Sequence, residues 1–299
     1  MKTKTIHIPF LLLSLTAFFT ITSCNDEDKL PKPQVTSTVV DGNKNMNISF
    51  GSPELSRLEV PHVMGGNSQT LVHSVAGYGV NMIIEWDRSL RSQRWTCYQM
   101  HAANIATNWA RNNWDQEPFQ PDPMLEEGVR TELIDYRGTG FDRGHILPSA
   151  DRLNSQEANE QTFYLSNMQP QYHVFNSGIW EKMENFVRNK GKDANFRDIL
   201  YICKGGTIDN ALQRLPNTNT GLIVPKYFFM AMLCEKGNGY KAMAFWVEHK
   251  QEAQDGTLRT YAVSIDQLEA LTGIDFFCNL PDDIEDKVEA SVAFSEWGL

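Results

Sequence analysis

FDRGHILPSADR, residues 141–152, packs an acid, an arginine, a glycine and a histidine into one tetrapeptide, and how it is read decides what the rest of the chain is. Taken as a loop, it is a polar crossing between two strands. Taken as chemistry, His145 brings an imidazole whose unperturbed pKa of ~6.5 lets it accept a proton from water near neutrality. Arg143 offers a planar fork of donors that suits phosphate oxygens and developing negative charge. Gly144 leaves the backbone bare for a close approach. A histidine base beside a phosphate-binding arginine is what phosphodiester hydrolysis uses. On its own, though, such a tetrapeptide arises by chance.

The next informative stretch downstream is SNMQPQYHVFNSGIWEKMEN, residues 166–185. Apolar residues at 179, 180, 183, 186 and 187 predict an amphipathic helix with Asn176 as N-cap and Gly191 at its close. Asn176, Trp180 and Glu184 then stand at i, i+4 and i+8 on nearly one face. Eight residues climb ~12 Å. A cation held at ~2.1 Å by the Asn176 amide oxygen could hardly take Glu184 directly, but Glu184 could reach its water shell. Few protein ligands and several retained waters is how Mg²⁺ prefers to bind. Without 141–152 beside it, the same segment reads as a capped surface helix with a buried tryptophan.

Around these two segments, strands are predicted at 80–87, 94–101, 198–204, 222–234 and 240–247. Helices are predicted after Ser155 and over 264–273, and EPFQPDPMLEEG (117–128) is a loop. Strands and helices mix without strict βαβ alternation, which predicts an α+β fold. The chain carries no GxSxG elbow, P-loop, HExxH or GxGxxG. His62, His73, His101, His173 and His249 fall in no recognisable motif and read as structural or surface residues.

The N-terminus reads as a separate element. Lys2 and Lys4 precede an apolar run that ends in ITSC at Cys24, the pattern of a lipoprotein signal peptide over 1–23 with Cys24 as the lipidated residue. Residues 24–55 read as a flexible tether and 56–299 as the folded domain. The expected location is therefore outside the cytoplasm, as an outer-membrane lipoprotein on the periplasmic or the cell-surface side, held to the membrane by its N-terminal lipid alone. Across the 299 residues the formal net charge is −10, and losing Lys2 and Lys4 would make it more acidic. That balance excludes broad electrostatic attraction to nucleic acid, so phosphate chemistry needs a local basic site or a bound cation. Cys97, Cys203, Cys234 and Cys278 allow zero, one or two disulfides in an oxidising compartment, and without a CxxC pair they do not suggest a zinc ribbon.

DYRGTGFDRGHILPSADR, TFYLSNMQPQ and NSGIWEKME together resemble the consecutive signature blocks of the DNA/RNA non-specific endonuclease family, and SIDQLEALTGIDFF is similar to a late family segment. The resemblance covers roughly residues 60–295 and implies a ββα-metal (His-Me finger) core within a larger α+β domain. It implies that His145 is the general base, Arg143 steadies charge on the phosphate and Asn167 positions the site. Asn176 would ligate Mg²⁺, or Mn²⁺, directly, and Glu184 would act through a water. The implied substrate is DNA, RNA or both, cut with little sequence specificity to leave 5′-phosphate and 3′-hydroxyl ends. An arginine before the W-x-x-Y strand contributes to the site in some relatives, and Arg94, or Arg91, is the candidate here. Asp142, Asp151 and Arg152 read as scaffold. Two other readings remain: a binding lipoprotein of the same fold with weak catalysis, and a phosphodiesterase for a non-nucleic ester.

Overall fold

In the computed structural model, residues 42–48, 51–215 and 221–299 are described. The leader at 1–23, Cys24 and the first part of the tether lie outside them.

The centre is a seven-stranded antiparallel sheet in the order β1-β2-β3-β6-β9-β10-β11. Its strands are β1 (Ser68–Val75), β2 (Gly79–Asp87), β3 (Ser92–His101), β6 (Ile199–Gly206), β9 (Tyr227–Lys236), β10 (Gly239–Glu248) and β11 (Ala262–Val263). Two small ribbons stand apart from it. One pairs β4 (Asp142–His145) with β5 (Met168–Gln171), and the other pairs β7 (Ala211–Arg214) with β8 (Ile223–Pro225). The mixed architecture expected from the sequence is thus present. The strand expected over 222–234 is two strands, β8 and β9, interrupted at Lys226.

The sheet is covered on both faces, which is why β9 reads as an unbroken apolar run instead of alternating. Phe228, Met230 and Met232 point into one core with Phe175, Trp180, Met183 and Val187. Phe229, Ala231 and Leu233 point into the other with Ile265, Leu268, Phe276 and Phe277. The first layer carries α1 (Gln156–Gln161), α2 (His173–Phe175) and α3 (Glu181–Lys192). The second carries α5 (Ile265–Thr272) and α6 (Asp282–Glu289), which follow the short α4 (Leu258–Tyr261); α7 (Phe294–Trp297) closes the described chain. Local signals set several ends. The Ser155 hydroxyl accepts from Ala158 N at 3.1 Å to start α1. Ser264 and Gln267 form a reciprocal cap on α5, which stops at Gly273 in the left-handed region.

The arm before residue 55 and the four cysteines take definite places in the structure. The tether does not run free to 55: Asn43 Nδ2 donates to the Cys278 and Leu280 carbonyls, and the Asn47 side chain donates to the Pro61 carbonyl at 2.9 Å. These asparagines satisfy carbonyls of the folded body, so order reaches upstream to the described residues at 42–48. The four cysteines at 97, 203, 234 and 278 are all free and buried, although Cys97 and Cys203 stand directly opposite each other on β3 and β6.

Candidate active site

The β4–β5 ribbon places the opening tetrapeptide. Asp142 lies opposite Gln171 and His145 opposite Met168. The buried side chain of Gln169 fastens β5 to the sheet, accepting from Gly206 N at 2.7 Å and donating to the Gln93 and Gly206 carbonyls. Gly144 is required, but for a different partner than expected. A Cβ there would meet Gln171 Cδ at 2.2 Å, so the bare backbone admits a buried neighbour and not a substrate.

The helical segment after the ribbon differs from the regular helix expected. Asn176 is not an N-cap, because helical backbone already starts at His173. Asn176–Trp180 forms a π-type turn with Gly178 outside helical geometry (φ −115°, ψ −107°), and α3 continues from Glu181. Such turns recur at functional sites. The Trp180 indole donates to the His145 carbonyl at 3.1 Å and so ties this turn to the ribbon.

Together these elements wall a cavity of about 860 Å³ lined by His145, Asn176 and Glu184, with Arg111, Arg137, Arg143 and Arg188 among its other residues. Glu117, Asp142 and Glu181 line it as well, so the arginines give it local donors for phosphate beside carboxylates, not a net basic charge. His145 packs edge-on against Phe163 at 5.0 Å and beside Phe119 at 5.8 Å. Burial, then the charges of Arg111 and Arg143, push His145 down to about 3, so its imidazole is neutral near pH 7. Its Nε2 has no hydrogen-bond partner. The Arg143 guanidinium sits 3.8 Å above the Phe119 ring, which fixes its plane while leaving its donors to the cavity.

Asp142 has a more definite task than scaffold. Its Oδ2 accepts from Asn176 Nδ2 at 3.0 Å and bonds His173 Nδ1 at 2.9 Å. His173, expected to be incidental, thereby joins the rim of the site. With its nitrogen committed to Asp142, the Asn176 side chain presents its oxygen as the free atom. Glu184 Oε1 is likewise buried without a partner. An amide oxygen and an orphaned carboxylate oxygen on one wall suit a hard cation with oxygen ligands. Beneath Glu184 lies Lys204, fully buried; burial pushes the carboxyl up and the ammonium down, and each partly restrains the other.

Asn167 and Arg94 lie off the cavity, and Arg152 lies where a scaffold residue is expected. Asn167 is 0 % exposed and does not line the cavity. Its Oδ1 accepts from Leu147 N at 2.9 Å, and its Nδ2 donates to the Leu147 and Thr162 carbonyls, so it positions the segment after His145 and is not catalytic. Arg94 is spent elsewhere, on Asp87 at 2.6 Å and Asp209 at 2.7 Å, and does not line the cavity either. Arg152 is buried and donates to the Asn81, Gln99 and Asp151 carbonyls, as scaffold should. Asp151, also read as scaffold, pairs with Arg188 at 2.6 Å and accepts from the Tyr98 hydroxyl at 3.0 Å.

The reading of the sequence missed Arg188, Arg111 and Lys204. Arg188 was findable, one turn beyond Glu184 on the same helix. Arg111 and Lys204 reach the site from a distant loop and from β6, and no local pattern signals either.

Residues 65–283 match the family described as DNA/RNA non-specific endonuclease. The chain is 31 % identical over 228 residues to a nuclease of Nostoc sp., covering 70 % of this chain and 75 % of that one. It is 30 % identical over 207 residues to the mitochondrial nuclease 1 of Schizosaccharomyces pombe, covering 66 % and 64 %. Among solved structures, a chain of the EndoG/EndoGI complex superposes with a TM-score of 0.61 at 23 % identity, over 74 % of this chain and 91 % of that one. These relatives overturn the expected location. The fission-yeast relative is mitochondrial, as are others from budding yeast, zebrafish and human, so an exported outer-membrane lipoprotein is not what the family indicates. An N-terminal address is chemically independent of the fold it delivers, and the residues that suggested it lie outside those described.

Proposed function

The chain belongs to the DNA/RNA non-specific endonuclease family and is a nuclease, and on that footing we propose that it is Mg²⁺-dependent, with Mn²⁺ able to substitute. It hydrolyses the P–O3′ bond and leaves 5′-phosphate and 3′-hydroxyl ends. The observation that carries this reading is the convergence on one arginine-rich cavity of three unspent groups: His145 Nε2, the Asn176 amide oxygen and Glu184 Oε1.

The β4–β5 ribbon and the helical segment after it make up the ββα His-Me finger unit in this reading. Neutral His145 takes the proton of the attacking water. Burial keeps the ring neutral, the form that accepts a proton. Asn176 would ligate the metal through its oxygen, oriented by Asp142, and Glu184 would hold one of the metal's waters. A cation held there would supply Lewis acidity and positive charge to phosphodiester hydrolysis. Arg143, held flat on Phe119, and Arg188, held by Asp151, face the added negative charge of the transition state with fixed donors. Arg111, which pairs with Glu117 and stacks over Phe163 at 5.3 Å, contacts the substrate backbone from the opposite wall. Contacts to phosphate instead of base edges explain cleavage with little regard to sequence.

The test is cleavage of plasmid DNA and of RNA by the purified chain with Mg²⁺ or with EDTA, beside His145→Ala and Asn176→Ala. Cleavage that needs Mg²⁺ and fails in both variants is expected, with product ends that polynucleotide kinase labels only after phosphatase treatment. Intact nucleic acid in every lane, from a chain with a cooperative melt, would sink the reading.

A further inference from the structure

On the opposite side of the central sheet from the nuclease cavity, α5 and α6 face each other across a second cavity of about 470 Å³. Among the described residues, seven carboxylates line it and Lys44 is its one cation. Within it, the ligand oxygens of Asp266, Glu269 and Glu289 all lie within 4.8 Å of one another. That span matches the distance across a calcium ion whose ligands sit at ~2.3–2.6 Å.

An acidic cluster on a protein surface needs no ion, because water screens it. Glu289 is not in that situation. It is 4 % exposed and its Oε1 has no hydrogen-bond partner. Glu285, one helical turn earlier and 6 % exposed, presents a second carboxylate on the same face, where like charges repel. The chain's own relief is small. Asn45 Nδ2 donates to Glu285 at 3.0 Å and to Asp275 at 3.1 Å, and Phe276 N donates to Glu269 at 2.8 Å. Lys44 reaches Asp282 at 3.4 Å and is itself largely exposed. The Asn45 Oδ1 is left buried and unpartnered as well. A buried carboxylate with no donor is costly unless it is protonated or bound to a metal.

We propose that Asp266, Glu269 and Glu289 bind a Ca²⁺ ion, with water completing its shell, at a structural site distinct from the nuclease cavity. The ion joins α5 to α6, and through Asp275, Glu285 and Asn45 it fastens the 42–48 arm to the folded body. Oxygen-only ligands, several of them charged, and a wide cavity favour Ca²⁺ over the smaller Mg²⁺, which requires tighter octahedral geometry.

The test is calorimetric titration of the chelator-treated full chain with CaCl₂, alongside thermal denaturation with and without Ca²⁺. The expected result is one saturable Ca²⁺ per chain that survives Asn176→Ala, with a Tm rise of several degrees. Glu289→Gln should abolish it. Asp266→Asn, a change at an exposed position that leaves packing intact, should weaken it roughly tenfold or more. Absence of saturable Ca²⁺ binding by the wild-type chain overturns the proposal and means that the carboxylates share protons instead. Binding that is lost in Asn176→Ala and kept in Asp266→Asn also overturns it, by assigning the ion to the nuclease cavity.

Discussion

The two cavities lie against opposite faces of one sheet, and their carboxylates are balanced in opposite ways. Glu184 faces Lys204 and Arg188 from its own chain, inside a cavity with three more arginines. Glu289 faces further carboxylates and a single peripheral lysine. Around the nuclease cavity, buried side chains commit nearly every wall: Asn167 on Leu147 and Thr162, Gln169 on Gly206, Asp142 on Asn176. Unpartnered buried atoms remain in both, His145 Nε2 and Glu184 Oε1 in the first, Glu289 Oε1 and Asn45 Oδ1 in the second, but only the first has them set in such a frame. The chain frames the reacting groups of the first with its own hydrogen bonds, whereas in the second the cation itself would tie the elements together. A site that must bind and release a polyanion gains from such preorganisation. A site that only braces two helices does not need it.

The strongest way to break this contrast is at His145. His145→Ala should lower the cleavage rate roughly 10²–10⁴-fold in a plasmid nicking assay, with the Tm nearly unchanged. Wild-type rates would mean that the preorganised cavity is not the reactive one. Next comes Asp142→Leu, which frees the Asn176 amide. Activity should fall by about 10–100-fold and the Mg²⁺ requirement rise, while Asp142→Asn, which keeps an acceptor oxygen, retains most of it. If Leu and Asn behave alike, the Asp142–Asn176 bond orients nothing.

Smaller effects test the walls through stability. Asn167→Ala removes three buried hydrogen bonds and strands their backbone partners, an expected loss of about 3 kcal/mol in urea unfolding. Added Ca²⁺ should not close that gap between variant and wild type. His249, which holds Tyr172 just beyond β5, tests the other end of the ribbon by pH. Its Nε2 accepts from Tyr172 N and its Nδ1 donates to the Pro225 carbonyl, so the ring must be neutral, and burial holds it down at about 4. The unfolded chain then takes up a proton at higher pH than the folded chain. The stability His249 contributes is full above ~6.5 and drains as pH falls toward about 4, on the order of 3 kcal/mol in all. The stability difference between wild type and His249→Gln should narrow by that much between pH 7 and pH 4. A constant difference would show that the ring does not stay neutral.

What was legible in the sequence was local. Arg143 and His145 sit two residues apart, Asn176 and Glu184 eight apart, and both pairs line the cavity. Capping residues likewise marked the ends of α1 and α5. What was not legible depended on long-range pairing. The Asp142–Asn176 bond spans 34 residues, and Lys204 enters from a strand whose pattern is simply apolar. Arg94 looked available because a sequence does not show that Asp87 and Asp209 will claim it. The ordered arm at 42–48 was hidden by its polar composition, because its asparagines bind folded backbone where tether residues would bind water.

The π-type turn at Asn176–Trp180 has a mechanical meaning beyond its irregularity. In a regular helix, eight residues leave the first and last side chains about 80° apart around the axis. Taking up one extra residue in a single turn subtracts about 100° and brings that offset close to 20°. The turn acts as a vernier: it spends one residue of length to swing Asn176 and Glu184, which both line the cavity, toward a common wall.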